Sequence, residues 1–234
     1  MLVKTKDFAS FLKVLNLKGK YENTNALITF KKEGLEVLTV CPDTEVIALR
    51  GFLKIPYDGD ECVVGLDNIG LLRTCVGNFE EEFNLTKTDN KLILSDKKLK
   101  ISCILRNPAY VTTKLDNDKF KKVYSSLSEH SITLDISQIK KLINYFNTIG
   151  SNSIILTNKN NKLGIKSEKS ENELSATIDT KVIEKFEIKL PKVFVDVLSI
   201  VDDDIILKLS DGKPGYIGIS SEHYTFQILI QRRK

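Results

Sequence analysis

The chain has 234 residues, of which 41% are hydrophobic and 28% charged, with 12 glycines and 5 prolines. Such a composition builds a hydrophobic core and excludes collagen-like, Pro/Gly-rich and wholly disordered chains. Lys and Arg exceed Asp and Glu by 35 to 31, a formal +4, which permits contact with nucleic acid without requiring it. No apolar run approaches the roughly 20 residues of a membrane-spanning helix. The opening MLVKTKDFAS lacks the apolar stretch of a signal peptide, so an intracellular location, cytoplasm or nucleus, is expected, with no membrane partner.

In chain order, a short strand at 2–3 leads into an amphipathic helix on which Phe8, Phe11, Leu12 and Leu15 fall at i, i+3, i+4 and i+7. Strands follow at about 25–30, 35–41 and 45–53, the first two joined through Glu33-Gly34. A strand at 62–65 precedes a second helix carrying Ile69, Leu72 and Val76, with Arg73 where an apolar residue would complete the set. Strands at 82–87, 91–95 and 99–105 come next, with Asp89-Asn90 as a turn.

After residues 107–129 the pattern begins again. A strand at 132–136 leads to a helix bearing Ile139, Leu142, Ile143 and Phe146, then to strands at 153–157, 162–167 and 173–180. A strand at 186–190 leads to a helix bearing Phe194, Val197, Leu198 and Val201, then to strands at 204–209, 215–220 and 224–230. Thr5, Asp67 and Ser137 are the expected caps, Pro191 a first helical residue, and Gly19, Gly77 and Gly150 the stops. The unit is strand–helix–three strands, four times over, at intervals of about 50 to 70 residues. The fold class is α+β, with two similar domains at 1–106 and 130–234. Residues 107–129 lack a sustained period and read as the connecting linker.

Catalytic and metal signatures are thin. Cys41, Cys62, Cys75 and Cys103 include no C-x-x-C pair and are accompanied by only two histidines, so four reduced thiols and no structural zinc are expected. No phosphate loop, dinucleotide fingerprint, nucleophile elbow or H-E-x-x-H motif occurs. His130 and His223 each follow a glutamate, but neither lies beside a Ser or Cys nucleophile. The runs Glu80, Glu81, Glu82 and Asp202, Asp203, Asp204 alternate faces if extended, and so do not converge on one ion. No catalytic residue, metal or cofactor is expected.

The four-fold layout with one linker resembles that of the DNA sliding clamps, the family of proliferating cell nuclear antigen and of the T-even-like phage polymerase clamps. Four stretches carry the resemblance: DFASFLKVLNLKG at 7–19, TVCPDTEVIAL at 39–49, VGLDNIGLLRTCVGN at 64–78, and KPGYIGISSEHYTFQILI at 213–230. The compact length and short loops are closer to the phage clamps. The resemblance implies a homotrimeric ring around duplex DNA, tethering a DNA polymerase and loaded by an ATP-dependent clamp loader. With the apolar stripe of each helix against the sheet, the opposite face meets DNA. That face brings in Lys13, Lys18, Lys20, Arg73, Lys140, Lys141, Asn144 and Lys192 as sequence-independent contacts. Charged outer faces are ordinary on any helix, so these residues gain a DNA role only through the resemblance. Asp196 and the aspartates at 202–204 depart from a uniformly basic lining.

Trimer contacts would join the strand of Leu99, Ile101 and Leu105 to that of Leu174, Ala176 and Ile178. A partner-peptide groove would include Val40, Val123, Tyr124, Pro214 and Ile228. Three other readings share this sequence. One is a monomeric or dimeric clamp-like processivity factor held on DNA by charge, which a pI near 8.7 favours. Another is a subunit of a heterotrimeric clamp. The last is an α+β enzyme using Glu129, His130 or the aspartates at 202–204.

Overall fold

A computed structural model describes residues 1–19, 25–41, 45–111, 118, 120–122, 130–149, 153–167, 175–179, 186–209 and 215–232. The four-fold grammar is present in full. β1 (Leu2–Lys4) leads into α1 (Thr5–Leu15), followed by β2 (Ala26–Lys31), β3 (Gly34–Cys41) and β4 (Glu45–Leu53). β5 (Cys62–Leu66) leads into α2 (Ile69–Val76), then β6 (Glu82–Lys87), β7 (Lys91–Ser95) and β8 (Lys100–Arg106). β9 (His130–Leu134) leads into α3 (Ile136–Ile149), then β10 (Ser153–Lys159), β11 (Lys162–Ser167) and β12 (Ser175–Ile178). β13 (Glu187–Pro191) leads into α4 (Lys192–Leu198), then β14 (Ile205–Leu209), β15 (Gly215–Ser220) and β16 (Tyr224–Arg232).

Two compact units result. Unit 1 comprises Met1–Asp43, Ile47–Asn117 and Ser221–Phe226; unit 2 comprises Thr44–Val46, Asp118–Ser220 and Gln227–Lys234. In unit 1 the strands pair antiparallel in the order β1-β6-β7-β8-β5-β2-β3-β4. One sheet face is covered by α1 and α2. Phe8, Phe11, Leu12 and Leu15 of α1 and Leu72 of α2 close over Ile28, Phe30, Leu35, Val37, Leu66 and Leu92. These are the apolar positions of period 3.6 on the helices and period 2 on the strands, which is why the two patterns meet. In unit 2, β12-β11-β10-β13 form one run and β9-β14-β15 another. There Leu142, Phe146, Phe194 and Leu198 are buried together with Ile154, Leu156, Ile165 and Leu207.

Several expected ends move. The strand expected at 132–136 is β9 and stops at Leu134, because Asp135 is a cap. Its carboxylate accepts the Gln138 N–H at 2.8 Å while the Gln138 side chain accepts the Asp135 N–H at 2.9 Å. This reciprocal box displaces Ser137, whose hydroxyl donates to Asp135 instead. On α2 the cap is Asn68, accepting the Leu71 N–H at 2.7 Å, whereas Asp67 forms an ion pair with Arg106. α1 has Lys4 at its cap position and no side-chain cap; Thr5 Oγ1 is buried without a partner.

The chain leaves α1 two residues before Gly19, at Leu17, which is left-handed (φ 46°) with its side chain fully buried. Gly77 stays right-handed at φ −62°, and Pro191 ends β13 so that Lys192 opens α4. The strand expected at 173–180 spans Ser175–Ile178 among the described residues. Gly150, the expected stop of α3, lies outside them.

Two hairpins show their turn chemistry. Asn160 and Asn161, both left-handed at φ 56° and 61°, join β10 to β11 in the twist a two-residue hairpin requires. At Gly34, where β3 begins, a Cβ would stand 2.1 Å from the Leu53 carbonyl oxygen, so only glycine allows β4 to approach.

Candidate nucleic-acid interface

The helices of unit 1 lie side by side and present the faces opposite their apolar stripes. On α1 that face holds Lys6, exposed, and Lys13, half-buried, one heptad apart; on α2 it holds exposed Leu71 and Thr74, while Arg73, half-buried, borders the apolar stripe of Ile69, Leu72 and Val76. Lys6 was not among the sequence-predicted residues. The signal was available: positions 6 and 13 share one face of a 3.6-period helix. Asp7 is the acidic residue of this helix and lies 3.7 Å from His223 Nε2. Lys18 sits in the 3-10 turn Leu17–Gly19, with its side chain outside the described residues, as is the whole of Lys20.

In unit 2, α3 exposes Lys140, Lys141, Asn144 and Asn147 opposite buried Ile139, Leu142 and Phe146. The same reciprocal box that starts α3 holds the Asp135 carboxyl below its usual range. The Gln138 N–H and Ser137 hydroxyl contribute first, and the Lys141 ammonium adds to them. On α4, Lys192 is exposed and Asp196 half-buried. Asp202 and Asp204 are exposed and Asp203 is half-buried. Among the described residues, no three His, Cys, Asp or Glu side chains are grouped so as to hold a metal ion. Glu129 and the His130 side chain lie outside the described residues.

Cations at these positions attract phosphates through charge, without reading bases; on α3 the aromatic Tyr145, 37% exposed, stands beside Lys141 and Asn144. A groove of about 560 Å³ elsewhere on unit 1 has the opposite character. Glu80, Glu81, Glu82 and Asp96 line it together with Leu2, Lys97 and Lys98, so it repels a phosphate backbone. Asp96 accepts the Lys98 and Leu99 N–H groups at 2.7 Å each, which holds its carboxyl below the usual range.

Two strands carry backbone edges. β8 pairs with β7 along its length but with β5 only at Arg106↔Gly65 and Leu105↔Leu66. Its remaining edge has no strand partner among the described residues. Leu99 and Ile101 are half-buried, Leu105 is buried, and Ile104 on the other face is 70% exposed. Among the described residues β12 closes its run and pairs with β11 alone. Ile178 is buried; the Ala176 side chain and Leu174 lie outside the described residues.

Of the peptide-groove residues, Val40 is half-buried on β3 and Ile228 is fully buried on β16. Ile228 can therefore back a groove but not line its open side. Val123, Tyr124 and Pro214 lie outside the described residues.

No family model matches the chain, and no curated protein matches it. Solved structures do. A proliferating cell nuclear antigen of A. fulgidus, determined with the C-terminal region of FEN-1 bound, superposes with a TM-score of 0.78 at 12% identity. The match covers 100% of this chain and 97% of that one. The same protein of Thermococcus kodakaraensis gives 0.75 at 13% identity, over 100% of this chain and 99% of that one. The DNA polymerase III beta chain of Streptococcus pneumoniae gives 0.72 at 14% identity, with all of this chain matched to 64% of that one. The four strand–helix–three-strand units are thus arranged in the fold of the DNA sliding clamps.

Proposed function

We propose that the chain is a DNA sliding clamp: three copies close into a ring around duplex DNA, and the ring tethers a DNA polymerase to its template. The observation that carries this reading is the end-to-end match with a proliferating cell nuclear antigen at a TM-score of 0.78. The domains are 1–106 and 130–234, joined by 107–129. DNA passes the outer faces of the helices, where Lys6, Lys13, Arg73, Lys140, Lys141, Asn144 and Lys192 meet phosphates, together with Lys18 and Lys20 beyond α1.

Such a ring holds DNA by topology, and its charges only centre the duplex. A modest net charge of +4 suits that task, because a sequence-independent attraction to phosphates centres the duplex and still lets it slide. Each ring joint pairs the free edge of β8 with β12 of the next copy, satisfying backbone groups that would otherwise invite aggregation. A partner segment, such as a polymerase tail, is the ligand assigned to Val40, Val123, Tyr124, Pro214 and Ile228. The A. fulgidus protein binds the C-terminal region of FEN-1, which supports capture of a partner tail by a chain of this fold. A closed ring cannot thread itself onto circular DNA, so an ATP-dependent loader is required. The chain performs no catalysis in this role.

Sedimentation of the purified protein over a wide concentration range tests the ring. A species near three times the 26.4 kDa chain mass is expected. A monomer at every concentration overturns the homotrimer. If that monomer also binds linear DNA with steep salt dependence, a charge-held processivity factor takes its place.

A further inference from the structure

Two of the four thiols meet inside unit 1. Cys75 lies in the last turn of α2, half-buried, beside buried Leu72 and Val76. Cys103 is in the middle of β8 and only 8% exposed. The topology brings them together. β8 runs between β7 and β5, with Cys103 opposite Leu92 of β7 and Leu105 opposite Leu66 of β5. Leu92, Leu66 and Leu72 of α2 all line one small core cavity, so α2 covers the sheet face toward which Cys103 points. Cys75 stands close enough to Cys103 to bear on its thiol.

We propose that Cys75 and Cys103 form a reversible intrachain disulfide that fastens α2 to β8. The roles of the two sulfurs differ. Burial first, and Cys75 beside it second, push the Cys103 thiol up to about 11, so it stays protonated and shielded. Cys75 is the sulfur that a small oxidant such as hydrogen peroxide reaches. Its thiolate attacks one peroxide oxygen and breaks the O–O bond, giving a sulfenic acid and releasing hydroxide. The Cys103 sulfur then attacks the Cys75 sulfur. The S–O bond breaks, the S–S bond forms, and the departing hydroxide leaves as water with the Cys103 proton. Overall two thiols give up two electrons and two protons, and one peroxide becomes two waters. A dithiol reductant reverses the step by exchange. The inference stands apart from the clamp reading. If that reading also holds, the bridge lies directly beneath the strand that joins one subunit to the next.

The test uses the full chain. It is treated with one equivalent of hydrogen peroxide, its remaining thiols are blocked with iodoacetamide, and it is digested with trypsin without reductant. Cleavage after Arg73, Lys87, Lys100 and Arg106 isolates Cys75 in peptide 74–87 and Cys103 in peptide 101–106. The expected product is these two peptides joined, with the loss of two hydrogens, at about tenfold or more over any pair containing Cys41 or Cys62. It disappears on reduction. Cys75→Ser abolishes it, whereas Cys62→Ser, which changes the other half-buried thiol, leaves it intact. Recovery of peptide 101–106 fully alkylated overturns the proposal, whether Cys75 is then unmodified or carries a sulfinic acid. Indiscriminate pairing among all four cysteines overturns it equally.

Discussion

Phe11 on α1 and Phe226 on β16 stack with ring centroids 4.9 Å apart and planes inclined by 27°. Tyr224 meets both edge-on, at 6.3 Å from Phe11 and 5.6 Å from Phe226. The pair rests on Gly51 of β4, where a Cβ would come within 2.5 Å of the Phe226 ring and 2.8 Å of the Phe11 ring. The last strand of the chain thus completes the core begun by the first helix. Phe226→Ala is expected to destabilise unit 1 by about 3–5 kcal/mol, since it combines lost transfer energy with a cavity. Phe226→Leu should cost clearly less. Urea unfolding followed by circular dichroism measures both, and equal effects would mean that aliphatic bulk at this position recovers nothing and the whole loss belongs to the aromatic ring.

The start of α2 depends on one side chain. Asn68 accepts the Leu71 N–H at 2.7 Å, and Asn68→Ala leaves that donor without a protein partner. A loss of about 1 kcal/mol is expected, with Asn68→Asp close to wild type. Thermal melts of the two variants make the comparison, and an unchanged Ala variant would show that solvent caps the helix equally well.

Glu36 is the buried carboxylate of the unit 1 sheet, 2% exposed, paired with Lys31 and, at 2.5 Å, with Arg50. Burial alone would raise its pKa, but the hydrogen bonds and charges of Lys31 and Arg50 outweigh it, and the net shift is downward from 4.5. A carboxyl with a depressed folded-state pKa contributes stability that is present above its unfolded value and lost as pH falls through the folded value. Stability should therefore decline on acidification below about pH 4.5. Glu36→Gln should lower stability at neutral pH by about 1–3 kcal/mol and flatten the acid limb. Urea midpoints from pH 7 to 3 check both, and a Gln variant with an unchanged acid limb would assign the decline to other carboxyls.

Charge removal on the helix faces tests the DNA reading. Lys6, Lys13, Lys140 and Lys141 lie on faces turned from the core, so changing each to Ala should leave the melting temperature nearly unchanged. Removing one cation that neutralises a phosphate should reduce the slope of log affinity against log salt by about 0.9. Fluorescence titration of a labelled duplex at several salt concentrations gives the slope. A four-site variant with the wild-type slope would move DNA off these faces.

The edge of β8 tests the ring joint. Ile104 is exposed and contributes nothing to the core of unit 1, so Ile104→Glu should preserve the fold. The same is expected, with a modest stability cost, of Ile101→Asp at a half-buried position. Both should shift sedimentation from three-chain mass toward one-chain mass at micromolar concentration. A variant that keeps its circular dichroism spectrum and its assembled mass would place the joint elsewhere.

The amino-acid sequence by itself determined the four-fold strand–helix–three-strand order. That order is written in spacings of a few residues, such as Phe8, Phe11, Leu12 and Leu15 or Leu92 and Leu94, and local periodicity survives whatever the rest of the chain does. It also placed Lys13, Lys140 and Lys141 on outward helix faces, because the same period that buries one side exposes the other. Tertiary structure alone decided which strands pair, so that β8 meets β5 over two residues only and keeps an open edge. It decided that Asp135 with Gln138, rather than Ser137, starts α3, since both residue types cap well and only the chain path selects between them. It brought Cys75 to Cys103 and Phe11 to Phe226. Such meetings depend on closing long stretches of chain against a shared core, and no spacing within either partner's neighbourhood records them.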